Sequence, residues 1–179
     1  METIKISDQM DLRLVRPGFE DDFFAQIHRK DRPCDEFRGR MREKYTQVKM
    51  LNARLEDAYK NKFLKDGTPD FFIFLKNEMV GMFEFHPLSE EDHLEVGFWL
   101  FPEFRRQQIL SRVFPHMIEY AEKKFSKSRL IAMTSIENKP AQGLLTSLEM
   151  IKEPYVTEEK LGDGSIERQL TYWLPLGYQ

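Results

Sequence analysis

The sequence predicts an α/β fold in which one mixed, mostly antiparallel sheet of about seven strands is flanked by helices. Three observations predict it. Segments of strand length show apolar–polar alternation or short apolar runs. Stretches between some of them carry apolar residues at spacings of three and four, the stripe of an amphipathic helix. Short turns join the central strand candidates, whereas a helix separates the fourth from the fifth. That order permits an antiparallel meander followed by a parallel crossover.

The elements follow in order. Leu12-Arg13-Leu14-Val15-Arg16-Pro17 alternates and reads as a first strand ended by Pro17-Gly18. Glu20-Asp21-Asp22 places acidic residues at a helix start, where the helix dipole favours them, and Phe23, Phe24 and Ile27 form its stripe. Over residues 35–65, Phe37, Met41, Tyr45, Val48, Leu51, Leu55, Tyr59 and Phe63 recur at helical spacing. One long helix is expected, with Gly39 and Asn52 as the points where it could divide, and with a solvated charged face. Lys65-Asp66-Gly67-Thr68-Pro69 ends it. Phe71 to Leu75 and Met79 to His86 then flank the tight turn Lys76-Asn77-Glu78, and the loop Pro87 to Asp92 leads to a strand over His93 to Leu100. Leu110, Val113, Phe114, Met117, Ile118 and Ala121 give the next helix its stripe, with a kink expected at Pro115. Leu130 to Ile136 is a strand. Pro140 opens a short helix with Leu144, Leu145 and Leu148 inward, and two last strands flank the turn Gly162-Asp163-Gly164. With 179 residues and no internal repeat, linker or low-complexity segment, one domain over 1–179 is expected.

Composition narrows the function classes. Hydrophobic residues make up 41% and aromatics 13%, a globular composition rather than a disordered one. A net charge of −3 gives no overall electrostatic footprint for nucleic acid. Cys34 is the only cysteine, so no intrachain disulfide is possible; it reads as a spare small residue in a reducing compartment. Met1 to Met10 holds no apolar run and no window spans a bilayer, so no leader, no membrane partner and a cytoplasmic location are expected. Four scattered histidines show no zinc spacing, and neither a nucleophile elbow nor a Walker loop is present.

Three local sequences stand out: Glu95 to Phe104 (Glu-Val-Gly-Phe-Trp-Leu-Phe-Pro-Glu-Phe), Arg105 to Leu110 (Arg-Arg-Gln-Gln-Ile-Leu) and Asn138 to Met150 (Asn-Lys-Pro-Ala-Gln-Gly-Leu-Leu-Thr-Ser-Leu-Glu-Met). In this element order they resemble the GNAT superfamily of N-acyltransferases, in its RimJ/RimL-like branch, over Leu12 to Leu174. Glu95-Val96-Gly97-Phe98-Trp99-Leu100-Phe101-Pro102-Glu103-Phe104 is similar to the branch's fourth strand and its exit. The resemblance implies a sheet splayed between strands 4 and 5. Acetyl-CoA would insert its pantetheine arm there and bond backbone groups near Leu100 and Phe101, a cofactor acting as an added strand. Arg105-Arg106-Gln107-Gln108-Ile109-Leu110 stands where the family binds the donor's pyrophosphate with backbone N–H groups at a helix N-terminus. Arg105 matches the first position. Gln108 and Leu110 replace the family's small residues, and Arg105 and Arg106 are expected to compensate by pairing with phosphates. Asn138-Lys139-Pro140-Ala141 opens the third motif, in which Asn138, Ala141, Leu144 and Leu148 match; the family places the Asn beside the pantetheine arm. Leu145 stands where many members carry an acidic Tyr, and Glu149-Met150 replaces Gly-Phe.

The chemistry implied is acyl transfer from acetyl-CoA to a primary amine, with no metal. The acceptor could be a protein N-terminus, an amino sugar, a polyamine or an antibiotic. The amine must be neutral before attack, so a nearby carboxylate or histidine should take its proton. Glu95 is the family-consistent base, the alternative being a solvated or paired strand carboxylate. Glu84, expected to face away from the core, and the loop histidines His86 and His93 are the other candidates. Ser147 and Thr146 are the hydroxyls available to protonate the leaving thiolate, and a backbone N–H at the end of the fourth strand could stabilise the oxyanion. The acceptor should lie between the first helices and the loop Pro87 to His93. Two other readings use the same sequence: a non-catalytic GNAT-like binding module, motivated by Gln108 and Leu110, or a transferase taking its acyl group from a carrier protein. A monomer or a homodimer is expected.

Overall fold

A computed structural model describes residues 3–87, 92–160 and 164–177. Eight strands form one sheet in the order β1-β2-β3-β4-β5-β6-β8-β7, and five α-helices accompany it. The strands are β1 (Thr3–Ser7), β2 (Met10–Leu14), β3 (Asp70–Leu75), β4 (Glu78–Pro87), β5 (His93–Leu100), β6 (Arg129–Ser135), β7 (Ile151–Lys160) and β8 (Ile166–Pro175). The helices are α1 (Glu20–His28), α2 (Glu36–Lys44), α3 (Val48–Asp57), α4 (Ile109–Lys124) and α5 (Lys139–Ser147). The chain packs as two compact units, Met1–Glu84 with Phe98–Ile109 and Phe85–Gly97 with Leu110–Gln179.

In the first unit, β2 alternates as the sequence requires, with Met10, Leu12 and Leu14 buried. The extra strand β1 pairs with it antiparallel. β3 is buried on both faces from Asp70 to Phe74, which explains its unbroken apolar run. Phe72 packs edge-on against Phe19 and Phe23, and Phe23 stacks on Trp99 at 5.9 Å between ring centres. Lys76 and Asn77 both have positive φ, the backbone of a two-residue type I′ hairpin. Gly81 is required by close approach: a Cβ there would strike the Trp99 carbonyl and sit 2.7 Å from Leu100 Cδ2.

The long helix expected over 35–65 is three elements: α2, α3 and a π-helical stretch, Ala58–Leu64. The break falls at Tyr45–Gln47, not at Gly39 or Asn52. Tyr45 leaves helical geometry (φ −114°, ψ 76°), is buried, and its carbonyl contacts His28 Nε2 at 2.8 Å. A core anchor thus overrides a stripe that runs on in sequence. The charged face is not simply solvated either, because Arg38 is fully buried. Asp35 caps α2, its Oδ1 accepting from Arg38 N at 2.9 Å. Cys34 is free and exposed.

In the second unit, β5 runs parallel to β6 for three register pairs only, His93↔Arg129, Leu94↔Leu130 and Glu95↔Ile131. β6 continues to Ser135, antiparallel to β8 throughout. Phe85 stacks on Tyr120 of α4, and the helix is continuous across the exposed Pro115 where a kink was expected. In α5 the buried leucine is Leu145; Leu144 and Leu148 are half-buried at its margin. β7 has no buried residue, and its pairing with β8 shifts between Lys152 and Val156, around Pro154. Residues 88–91 of the loop expected over Pro87 to Asp92, and Gly162-Asp163 of the last turn, lie outside the described residues.

Candidate active site

The exit of β5 is built from backbone that folds back on itself. Phe101 N–H donates to Val80 O at 3.0 Å, and Phe101 O accepts from Phe104 N at 3.0 Å across the 3₁₀ turn Pro102–Phe104. Leu100 O accepts from Arg105 Nε at 3.1 Å. The Phe101 N–H, one of the strand-end donors considered for an oxyanion, is taken up by the sheet.

The loop between this turn and α4 holds the residues singled out for phosphates. Arg105, Arg106, Gln107 and Gln108 are exposed, Ile109 is buried and Leu110 is half-buried at the start of the 16-residue α4. Arg106 (φ 60°) and Gln108 (φ 57°) both lie in the left-handed region. The backbone therefore keeps at Gln108 the conformation for which glycine is the easy residue, although no glycine is present. Left-handed residues in a turn before a helix belong to the backbone signature of anion-binding concavities. This is the observation on which the loop fits a pyrophosphate. Arg106 makes no ion pair among the described residues. Gln107 Nε2 donates to Glu103 O at 2.7 Å. Arg105 Nη1 pairs with Asp35 Oδ2 at 2.5 Å, and its guanidinium lies over the Phe37 ring.

Behind the loop is a buried ion pair that sequence reasoning missed. Arg38 Nη2 pairs with Glu103 Oε1 at 2.8 Å, both side chains being at most 7% exposed. Arg38 also donates to Pro33 O and lies over the Phe101 ring at 4.8 Å. Arg32 Nε stands 4.0 Å from the same Glu103 oxygen. The only signal in the sequence was an Arg at a stripe-adjacent position, which is indistinguishable there from a solvated one.

Of the base candidates, Glu95 sits on β5 at the last register pair with β6. Burial pushes its carboxyl above the ordinary glutamate value; His93 pulls it down and Glu159 pushes it up. Glu84 is engaged elsewhere, its Oε1 accepting from Arg54 Nη2 at 3.0 Å with 17% of the side chain exposed; it does not face freely away from the core as expected. His86 and His93 are half-buried. Asn138 caps α5, its Oδ1 accepting from Ala141 N at 3.2 Å, and its Nδ2 has no partner among the described residues. Ser147 is exposed and its hydroxyl donates to Leu144 O at 2.7 Å; Thr146 is exposed and Leu145 lies in the core. Among the described residues no group of His, Cys, Asp or Glu could hold a metal ion, and no helix is long and apolar enough to cross a membrane.

A model of the acetyltransferase (GNAT) domain family matches residues 11–151. The chain belongs to the GNAT acetyltransferase family. Solved GNAT structures resemble the fold across nearly its whole length. The microcin C7 self-immunity acetyltransferase MccE, in complex with acetyl-CoA and AMP, superposes with a TM-score of 0.80 at 13% identity, covering 96% of this chain and 95% of its own. RimL, the ribosomal L7/L12 alpha-N-protein acetyltransferase, in complex with coenzyme A, gives 0.75 at 16% identity, with 99% and 100% covered. The ribosomal-protein-S5-alanine acetyltransferase from Vibrio fischeri gives 0.75 at 15% identity with both chains fully covered. Identities this low carry the GNAT fold and not an acceptor. Comparison with curated protein sequences gives no match.

Proposed function

We propose that this GNAT domain moves an acetyl group from acetyl-CoA to a primary amine, a protein N-terminus or a small-molecule amine. The observation that carries the donor half is the loop ahead of α4, where Arg106 and Gln108 hold left-handed backbone without glycine. Arg105, Arg106 and the N–H groups of Gln107 to Leu110 would hold the pyrophosphate. The backbone at Leu100 would bond the pantetheine arm. When bound, acetyl-CoA supplies an activated thioester carbonyl. The chain's own contribution is orientation, which brings amine and carbonyl together without a bimolecular encounter, and a proton acceptor. Glu95 takes the amine proton directly or through water; its raised affinity for a proton moves it toward the operating range of a general base. RimL is by its name an alpha-N-protein acetyltransferase and the Vibrio fischeri enzyme a ribosomal-protein-S5-alanine acetyltransferase, so a protein acceptor, its N-terminus first, is the class to test here.

Calorimetric titration with acetyl-CoA and with CoA tests the donor half. Micromolar affinity is the expected result, and no binding at millimolar ligand would sink it in favour of a binding module or a carrier-borne donor. With an accepted amine, Glu95→Gln should lower kcat roughly 10²-fold or more, the deficit being largest below the amine's pKa. Unchanged turnover would remove Glu95 from the role of base.

A further inference from the structure

The cation expected to meet the donor's phosphates already has a carboxylate partner. Arg105 Nη1 is 2.5 Å from Asp35 Oδ2, with the two side chains 44% and 32% exposed. Asp35 cannot easily withdraw. Its Oδ1 caps α2 at Arg38 N, and its backbone carbonyl accepts from Gly39 N at 2.9 Å. The first turn of α2 is fixed in turn by Arg38, buried between Glu103, Pro33 O and the Phe101 ring. Burial alone would push the Asp35 carboxyl up, but the Arg38 N–H and the Arg105 guanidinium bring it below the ordinary aspartate range, so it is ionised at neutral pH. Arg105 has a second tie, Nε to Leu100 O, that keeps it at the strand exit whether or not Asp35 holds it.

We propose that Asp35 is an affinity-setting residue for the donor: it neutralises Arg105 in the free protein and opposes phosphate at the loop ahead of α4. The inference rests on the donor reading above. If Arg105 swings to a phosphate, the Asp35 pair is lost; if Arg105 is shared, a carboxylate remains beside the bound anion. Either route weakens binding relative to a neutral residue at 35. Asp35 therefore acts through Arg105, as a positioning residue, and its removal should improve binding where loss of a merely structural contact would impair it.

The test is Asp35→Asn, which keeps a capping oxygen for α2 and removes the charge; asparagine and aspartate cap about equally well. Asp35→Ser is the second variant, also a good cap. The probes are CoA and inorganic pyrophosphate, titrated calorimetrically, with urea unfolding to verify an intact fold. Both variants should bind CoA and pyrophosphate roughly three- to five-fold tighter than the parent, the range of a partly exposed ion pair. The gain should shrink in an Arg105→Gln background, where Asp35 has no guanidinium to hold and only its own repulsion of the anion is relieved. Equal or weaker affinity in the variants while the parent binds CoA would overturn this inference and leave the donor reading standing. A gain undiminished without Arg105 would overturn it too. Absence of CoA binding in parent and variants alike would remove both.

Discussion

Gln108 tests the loop backbone through stability alone, with no ligand. Its φ of 57° is left-handed and its side chain is exposed. For an L-residue with a Cβ this conformation costs on the order of 1–2 kcal/mol relative to right-handed geometry. Glycine escapes that cost but gives up about 0.5–1 kcal/mol through its freer unfolded chain. Gln108→Ala and Gln108→Gly differ only in this balance, since neither removes a buried contact. The glycine variant should therefore be more stable than the alanine variant by roughly 0.5–1 kcal/mol. At an ordinary exposed position the order reverses by about the same amount, so the two outcomes lie about 1–2 kcal/mol apart. Urea unfolding of both variants under one set of conditions resolves that difference. For a chain of this length about 1 kcal/mol also shifts Tm by roughly 2–4 °C. An alanine variant as stable as the glycine variant, or more so, would refute the left-handed backbone and with it the fit of this loop to a pyrophosphate. If the order holds, Gln108→Gly should also bind CoA at least as tightly as the parent, because no Cβ then stands between backbone and phosphate.

Two predictions concern buried charge. Asp70, 5% exposed, is pushed up to about 6 by burial and, less strongly, by Glu84, against the pull of the Lys62 ammonium and of Arg54. Its folded value lies above its unfolded one, so the stability it contributes is fully present below about pH 4 and is lost as pH rises through about 6. Asp70→Asn should gain on the parent between pH 4 and pH 7 by up to the order of 3 kcal/mol, two units at about 1.4 kcal/mol each; a pH-independent difference in urea unfolding would contradict this. Arg38→Ala leaves Glu103, 7% exposed, with Arg32 Nε at 4.0 Å in place of its partner at 2.8 Å and should cost about 3 kcal/mol. Arg38→Met with Glu103→Leu should restore much of that loss, and a double variant no better than the single would show that packing around Arg38, rather than the stranded carboxylate, sets the cost.

The sheet was legible because its signals are local. Alternation in Met10–Leu14, the double-sided apolar run of β3 and the turn at Lys76-Asn77 each depend on near neighbours in the chain. β1 was missed although Thr3-Ile4-Lys5-Ile6-Ser7 alternates polar and apolar as a strand does; five residues give a short signal, and pairing with β2 is what makes it a strand. The helical region misled for the opposite reason. Its stripe continues through Tyr45, yet burial of that ring and the contact of His28 with its carbonyl end α2 there.

At the candidate site the same division holds. The order of motifs around Glu95, Arg105 and Asn138 placed the chain among the GNAT acetyltransferases, because strand exits, helix starts and caps are written in adjacent residues. Sequence also flagged the missing glycine at Gln108, but only the backbone showed that the left-handed conformation survives its loss. The pairing of Asp35 with Arg105 and of Arg38 with Glu103 joins residues 70 and 65 positions apart. Electrostatic partners at that separation leave no periodicity to read, since a charge on a helix face has the same letter whether it meets water or a buried carboxylate. Tertiary packing alone decides which.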